Sequence, residues 1–204
     1  MHRSWFRVSV VVACVPVAFA ISACNQPPAA PPAEPAAAQA PAQSQVERGR
    51  AIVDASLCHD CHSPKKFGPA GPEPDMDKAL SGHQEGESIS EAFKPVAGSP
   101  WTVATNDHFT AWSGPWGVSF AANLTPDTNT GLRSGVWTEE LFIKALRTGK
   151  HMGTSRNILP PMPWPNFARL SDDDLKAIWA YLGTIRAMNN HVPDPIPPAE
   201  APAR

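Results

Sequence analysis

The sequence predicts an all-α domain between two ends that do not fold with it. Three segments carry apolar residues at helical spacing between recognisable caps, and no stretch sustains the period-2 alternation of a half-buried strand. Alanine and proline dominate residues 25–43, and prolines recur through 191–204, which leaves 44–190 as the folding unit, a suitable size for one core. The formal net charge of −2 gives no reason to expect nucleic acid as a partner.

The first residues read as a secretory signal over 1–23. His2, Arg3 and Arg7 precede an apolar run at 8–20 that is too short to cross a bilayer comfortably. The run leads into Ile21-Ser22-Ala23-Cys24, which resembles the bacterial lipobox, where the cysteine becomes the first mature residue and is diacylated. Cys24 is therefore the expected lipidation site, and 24–43 an extended linker. This predicts an exported, periplasmic protein anchored by lipid to the inner or outer membrane. An ordinary signal peptide with an incidental cysteine is the rival. Of the four cysteines, Cys14 leaves with the signal and Cys24 takes lipid, so Cys58 and Cys61 remain as a close pair. None is left for a structural disulfide.

The first helix is expected at about 45–57, with Val46, Ile52, Val53 and Leu57 apolar. Gly49 lies inside it, where glycine costs about 1 kcal/mol relative to alanine; a close backbone contact would explain the choice. The helix runs into Cys58-His59-Asp60-Cys61-His62, a C-x-x-C-H pattern that is the attachment signal for c-type haem. Two thiols at this spacing on a turn can each form a thioether to a haem vinyl group, and the adjacent imidazole of His62 then meets the iron. A thioredoxin-like dithiol would instead follow a strand in a βαβ unit, and zinc would need a second pair of ligands. His59, His83, His108 and His151 occur singly. The expectation is one covalent haem c on Cys58 and Cys61 with His62 as an iron ligand.

Residues 63–136 are rich in Gly, Pro, Ser and Trp without sustained periodicity, and are expected to form long ordered loops with short helical turns. A large prosthetic group gives such loops something to pack on. The second helix starts after Thr138, places Glu139 and Glu140 in its first turn, buries Leu141, Phe142, Ala145 and Leu146, and stops at Gly149. Next comes Met162 between Pro161 and Pro163, in a stiff loop that can hold a thioether at the iron. Methionine ligation favours the ferrous state relative to a second histidine. Met152, His151 and an open site are rivals for that position. Trp164 is the tryptophan best placed to touch haem, and Arg147, Lys150 and Arg156 could pair with propionates. His83 is expected to be a surface or structural histidine. The third helix is capped by Ser171, has Asp174 at the capping-box position, sets Leu175, Ile178, Trp179 and Leu182 on one face, and ends at Gly183.

Gly49, Cys58 to His62, Pro161-Met162-Pro163 and the helix with Trp179-Ala180-Tyr181-Leu182 together resemble class I cytochrome c. The resemblance implies that fold, with a long Gly/Pro/Trp-rich insertion between the haem-attachment motif and the distal-ligand loop. It also implies that the first and last helices cross at Gly49 against Trp179 or Tyr181. Asn123-Leu124-Thr125-Pro126 through Gly131, and the run from Met162 through Phe167 to Leu175, look like the haem domains of cytochrome subunits serving membrane-bound alcohol and gluconate dehydrogenases. By that resemblance, which covers about 45–186, Asn123 would lie against the haem and Met162 would be the distal ligand. Those subunits carry three haems, whereas this chain has one C-x-x-C-H. The function expected is one-electron transfer rather than enzymatic catalysis. Respiratory or dehydrogenase components would be the redox partners, and the lipid would tether the protein to the membrane. The alternatives are an open-site haem enzyme or gas sensor, and an electron-accepting subunit of a membrane dehydrogenase.

Overall fold

The computed structural model describes residues 44–89 and 100–198. The expected signal segment, the lipidation site Cys24 and the linker 24–43 lie outside the described residues.

Helix α1 (Gln45–Ala55) starts on a reciprocal cap. The Ser44 hydroxyl accepts the Glu47 N–H at 3.2 Å, and the Glu47 carboxylate accepts the Ser44 N–H at 2.9 Å. After the short helices α2 (Cys58–His62), α3 (Glu139–Thr148) and α4 (Trp164–Phe167) comes α5 (Asp172–Leu182). Thr138 caps α3, and Gly149 ends it at φ +66°, a conformation glycine adopts without strain. Ser171 caps α5, its hydroxyl accepting the Asp174 N–H at 3.1 Å.

Helices α1 and α5 cross at Gly49. A Cβ there would come within 1.9 Å of the Ala177 carbonyl oxygen and 2.9 Å of Tyr181 Cβ, so only glycine permits the approach. Tyr181 is thus at the crossing, as the resemblance implied, together with the Ala177 backbone. Trp179 points elsewhere: its ring lies 5.4 Å from that of Phe142, and the Arg133 guanidinium stacks on it at 3.8 Å. Val53, Phe142, Leu146, Leu175, Ile178 and Leu182 form the centre of the core.

The expectation of an all-α fold is overturned in the segment after the C-x-x-C-H pattern. Two antiparallel sheets occupy it. In the first, β1 (Lys65–Gly68) pairs with β2 (Gly71–Pro74), Lys65 opposite Pro74. In the second, β3 (Ala104–Thr105), β4 (Ala111–Gly114) and β5 (Gly117–Phe120) lie in that order, with Ala111 opposite Phe120. These strands run two to four residues, too short for alternation to register in the sequence. Their tight hairpins turn on Gly71 at φ +105° and Gly117 at φ +92°, so a glycine-rich stretch without periodicity folds as β-hairpins. The molecule is a mixed α and β protein, with helices forming the core.

Residues beyond α5 are fastened to the second sheet and to the loop at 81–83. Ile196 pairs with Val118 through bonds of 2.8 and 3.0 Å, and Asn190 donates to the carbonyls of Ser81 and His83 at 2.8 Å each. Among the described residues, no helix is long and apolar enough to cross a membrane.

Candidate haem site

Between α1 and α2 the chain turns sharply at Leu57, whose φ of +58° is left-handed and whose side chain is largely exposed. A non-glycine residue in this region carries strain, of a kind that gathers at functional sites. The turn redirects the chain so that Cys58–His62 forms a helical turn of its own. Cys58 and Cys61 are half-buried and not joined to each other. Burial, and then the neighbouring Cys61, push the Cys58 thiol up to about 11, and burial raises Cys61 as well. A thioredoxin-like dithiol needs the opposite shift.

His62 donates from Nδ1 to the Ala122 carbonyl at 2.8 Å. That bond fixes the ring's orientation and tautomer and leaves the Nε2 lone pair free for a metal, the arrangement of ligating histidines generally. Burial lowers the pKa of the ring, which keeps that lone pair available. The turn is held from outside as well. The His62 carbonyl accepts the Gly82 N–H at 2.8 Å, and the Ser63 hydroxyl accepts the Leu80 N–H at 2.9 Å. Lys65, buried, donates its ammonium protons to the carbonyls of His59, Asp60 and Ser63 at 3.2, 2.7 and 2.7 Å. A cation at the C-terminal end of a helical turn complements the exposed carbonyls there.

Met162 is half-buried and packs against the same apolar core that Cys58 touches, together with Leu124 and Trp137. Its loop is held by main-chain bonds from Met162 to Leu159 and from Trp164 to Met162. Trp164 lies over Gly149, where a Cβ would be 2.3 Å from the indole. Of the rivals for the iron, His151 packs edge-on against Trp137 at 5.2 Å, and Met152 has a left-handed backbone at φ +52°. Asn123 is buried, and its amide is spent within the protein: it donates to Thr130 Oγ1, Met188 O and Asn190 O and accepts from Thr125. Arg147 binds the Ala168 carbonyl and Asp172, bridging α3 to the start of α5, while Lys150 and Arg156 are exposed. His83 is fully buried, with Nδ1 on Thr110 Oγ1 at 3.0 Å and Nε2 on the Glu87 carbonyl at 2.8 Å, which makes it structural.

Two unlinked thiols on one turn, an oriented imidazole beside them and a thioether on the same apolar core fit the chemistry of c-type haem. Among the described residues, no group of three or more His, Cys, Asp or Glu side chains could hold a metal ion by itself. Sequence reasoning missed Lys65, Ser63 and the Ala122 carbonyl, which shape the turn. A carbonyl has no residue-type signature, and a lysine after the pattern looks like any solvated one.

No protein-family model matches the chain. It is 41% identical over 83 residues to the cytochrome c subunit of the quinone-type alcohol dehydrogenase of Gluconobacter oxydans, a match covering 39% of this chain and 17% of that subunit. It is 39% identical over 67 residues to the gluconate 2-dehydrogenase cytochrome c subunit of Pantoea cypripedii, covering 33% and 14%. With the fructose dehydrogenase cytochrome subunit of Gluconobacter japonicus it shares 38% over 74 residues, covering 36% and 15%. The matches thus span about a sixth of the length of these curated relatives. Over more than a third of its residues the chain is homologous to cytochrome c subunits of dehydrogenases, which supports a place in the cytochrome c family.

Proposed function

We propose that this chain is a tethered one-electron carrier with a single covalent haem c, bound through Cys58 and Cys61 and ligated by His62 and Met162. The observation that carries the reading is the His62 Nδ1–H bond to Ala122 O at 2.8 Å, directly beside two unlinked thiols, because it prepares the other ring nitrogen as a ligand. Haem supplies exchange of one electron between ferric and ferrous iron. With haem bound, His62 and Met162 would both hold its iron, which would leave no position open to a substrate and little to move on electron transfer. The attachment motif early in the domain and the methionine late follow the class I order. The homology to cytochrome c subunits supports an electron-transfer haem role. Cys24, acylated on the periplasmic side, would keep the domain near membrane redox partners and raise its local concentration there.

The same homology favours a second, narrower reading, in which the chain is the electron-accepting subunit of a dehydrogenase. A dehydrogenase that copurifies with it stoichiometrically would establish that reading; a monodisperse protein reduced by several donors would favour the free carrier.

Optical spectra of oxidised and reduced protein, with and without carbon monoxide, test the ligation. Wild type is expected to show the weak far-red sulfur-to-iron band when oxidised and to leave carbon monoxide unbound. Met162→Ala should lose the band and bind carbon monoxide. Ready binding by wild type would favour the open-site enzyme or sensor, and an unchanged Met162→Ala spectrum would remove Met162 as ligand.

A further inference from the structure

Strand β5 and the residues just after it are bonded both to the loop that carries Met162 and to His62. On one side its Ser119 hydroxyl, in a residue only 8% exposed, donates to the Pro160 carbonyl at 2.5 Å, two residues before Met162. The Trp112 carbonyl is farther away, at 3.4 Å, and Trp116 Nε1 donates to the same hydroxyl at 3.3 Å, orienting it. On the other side, three residues on from Ser119, the Ala122 carbonyl accepts from His62 Nδ1. The link between these points is itself pinned. Ala121 donates to the Thr110 carbonyl at 2.8 Å and accepts from the His83 N–H at 2.9 Å. The hydroxyl lies much closer to a main-chain carbonyl 41 residues away than to that of Trp112 on the paired strand, 2.5 Å against 3.4 Å. Its effect is to fasten the methionine loop to the sheet.

We propose that Ser119 is a positioning residue for Met162, and that β5 with its continuation to Ala122 sets the spacing between the two axial positions. This rests on Met162 being the distal ligand. It gives the inserted sheet a task in the redox site: resisting release of the thioether from the iron.

The test compares wild type, Ser119→Ala, Ser119→Thr and Met162→Ala as full-length haem-loaded proteins. The far-red band, carbon monoxide uptake and unfolding by circular dichroism are followed against temperature. Loss of one hydrogen bond should raise the fraction of Ser119→Ala with a released loop, and hence its carbon monoxide uptake, about fivefold. The band should fade in that variant well below its unfolding temperature, and Ser119→Thr should restore wild-type behaviour. Two results would overturn the proposal alone: Met162→Ala loses the band while Ser119→Ala matches wild type, or Ser119→Ala loses it only on unfolding. If Met162→Ala keeps the wild-type spectrum, the ligand assignment fails, and the positioning role falls with it.

Discussion

At the start of α5 one carboxylate joins three parts of the chain. Asp174 accepts from Arg48 Nε at 2.6 Å and from the Ser171 hydroxyl at 2.7 Å, so it ties α1 to α5 while completing the α5 cap. The bond from Arg48, and then that from Ser171, hold its carboxyl below the usual aspartate range. A carboxyl with a lower pKa folded than unfolded adds stability above the unfolded value, about 3.9 for aspartate. That contribution is lost as pH falls through the lowered folded value. Acid unfolding followed by circular dichroism should therefore set in below about pH 4, and Asp174→Asn should flatten the pH dependence there. An identical acid profile for the variant would show that the pair does not couple the helices. Lys65 shows the same economy at the C-x-x-C-H turn, where one buried ammonium donates to the carbonyls of His59, Asp60 and Ser63.

The α1–α5 crossing is the contact on which the helical core depends. Gly49→Ala would force a Cβ against the Ala177 carbonyl, and backbone cannot move aside as a flexible side chain can. The expected cost is about 3 kcal/mol, the upper end for overpacking, seen as a lower midpoint in chemical denaturation. A midpoint unchanged from wild type would mean that the helices separate freely. At this scale the sequence was readable where signals are local. Ser171, Asp174, Thr138 and Gly149 act within a turn of their own helices, and the structure places each in its cap. The C-x-x-C-H pattern is equally local, and all five of its residues fall in α2. The strands were not, because two to four residues cannot show a period and their glycines could equally belong to loops. Ser119 and Ala122 escaped notice because their partners lie 41 and 60 residues away, and neither bond depends on an uncommon residue type.

Across the whole molecule, the helices supply the apolar core that Cys58 and Met162 border, and the inserted sheets hold the loops around it. The long insertion between His62 and Met162 carries both sheets, and its hydrogen bonds reach the His62 ring through Ala122 and the methionine loop through Ser119. The most direct measurement is the intact mass of the protein exported by a host competent in haem attachment, after acid–acetone extraction. The expected mass is that of the processed chain with its acyl groups plus one haem, with Cys58→Ser/Cys61→Ser giving the same species without haem. A wild-type mass without haem, with both thiols free to alkylate, would contradict covalent attachment at this turn and the electron-transfer role built on it.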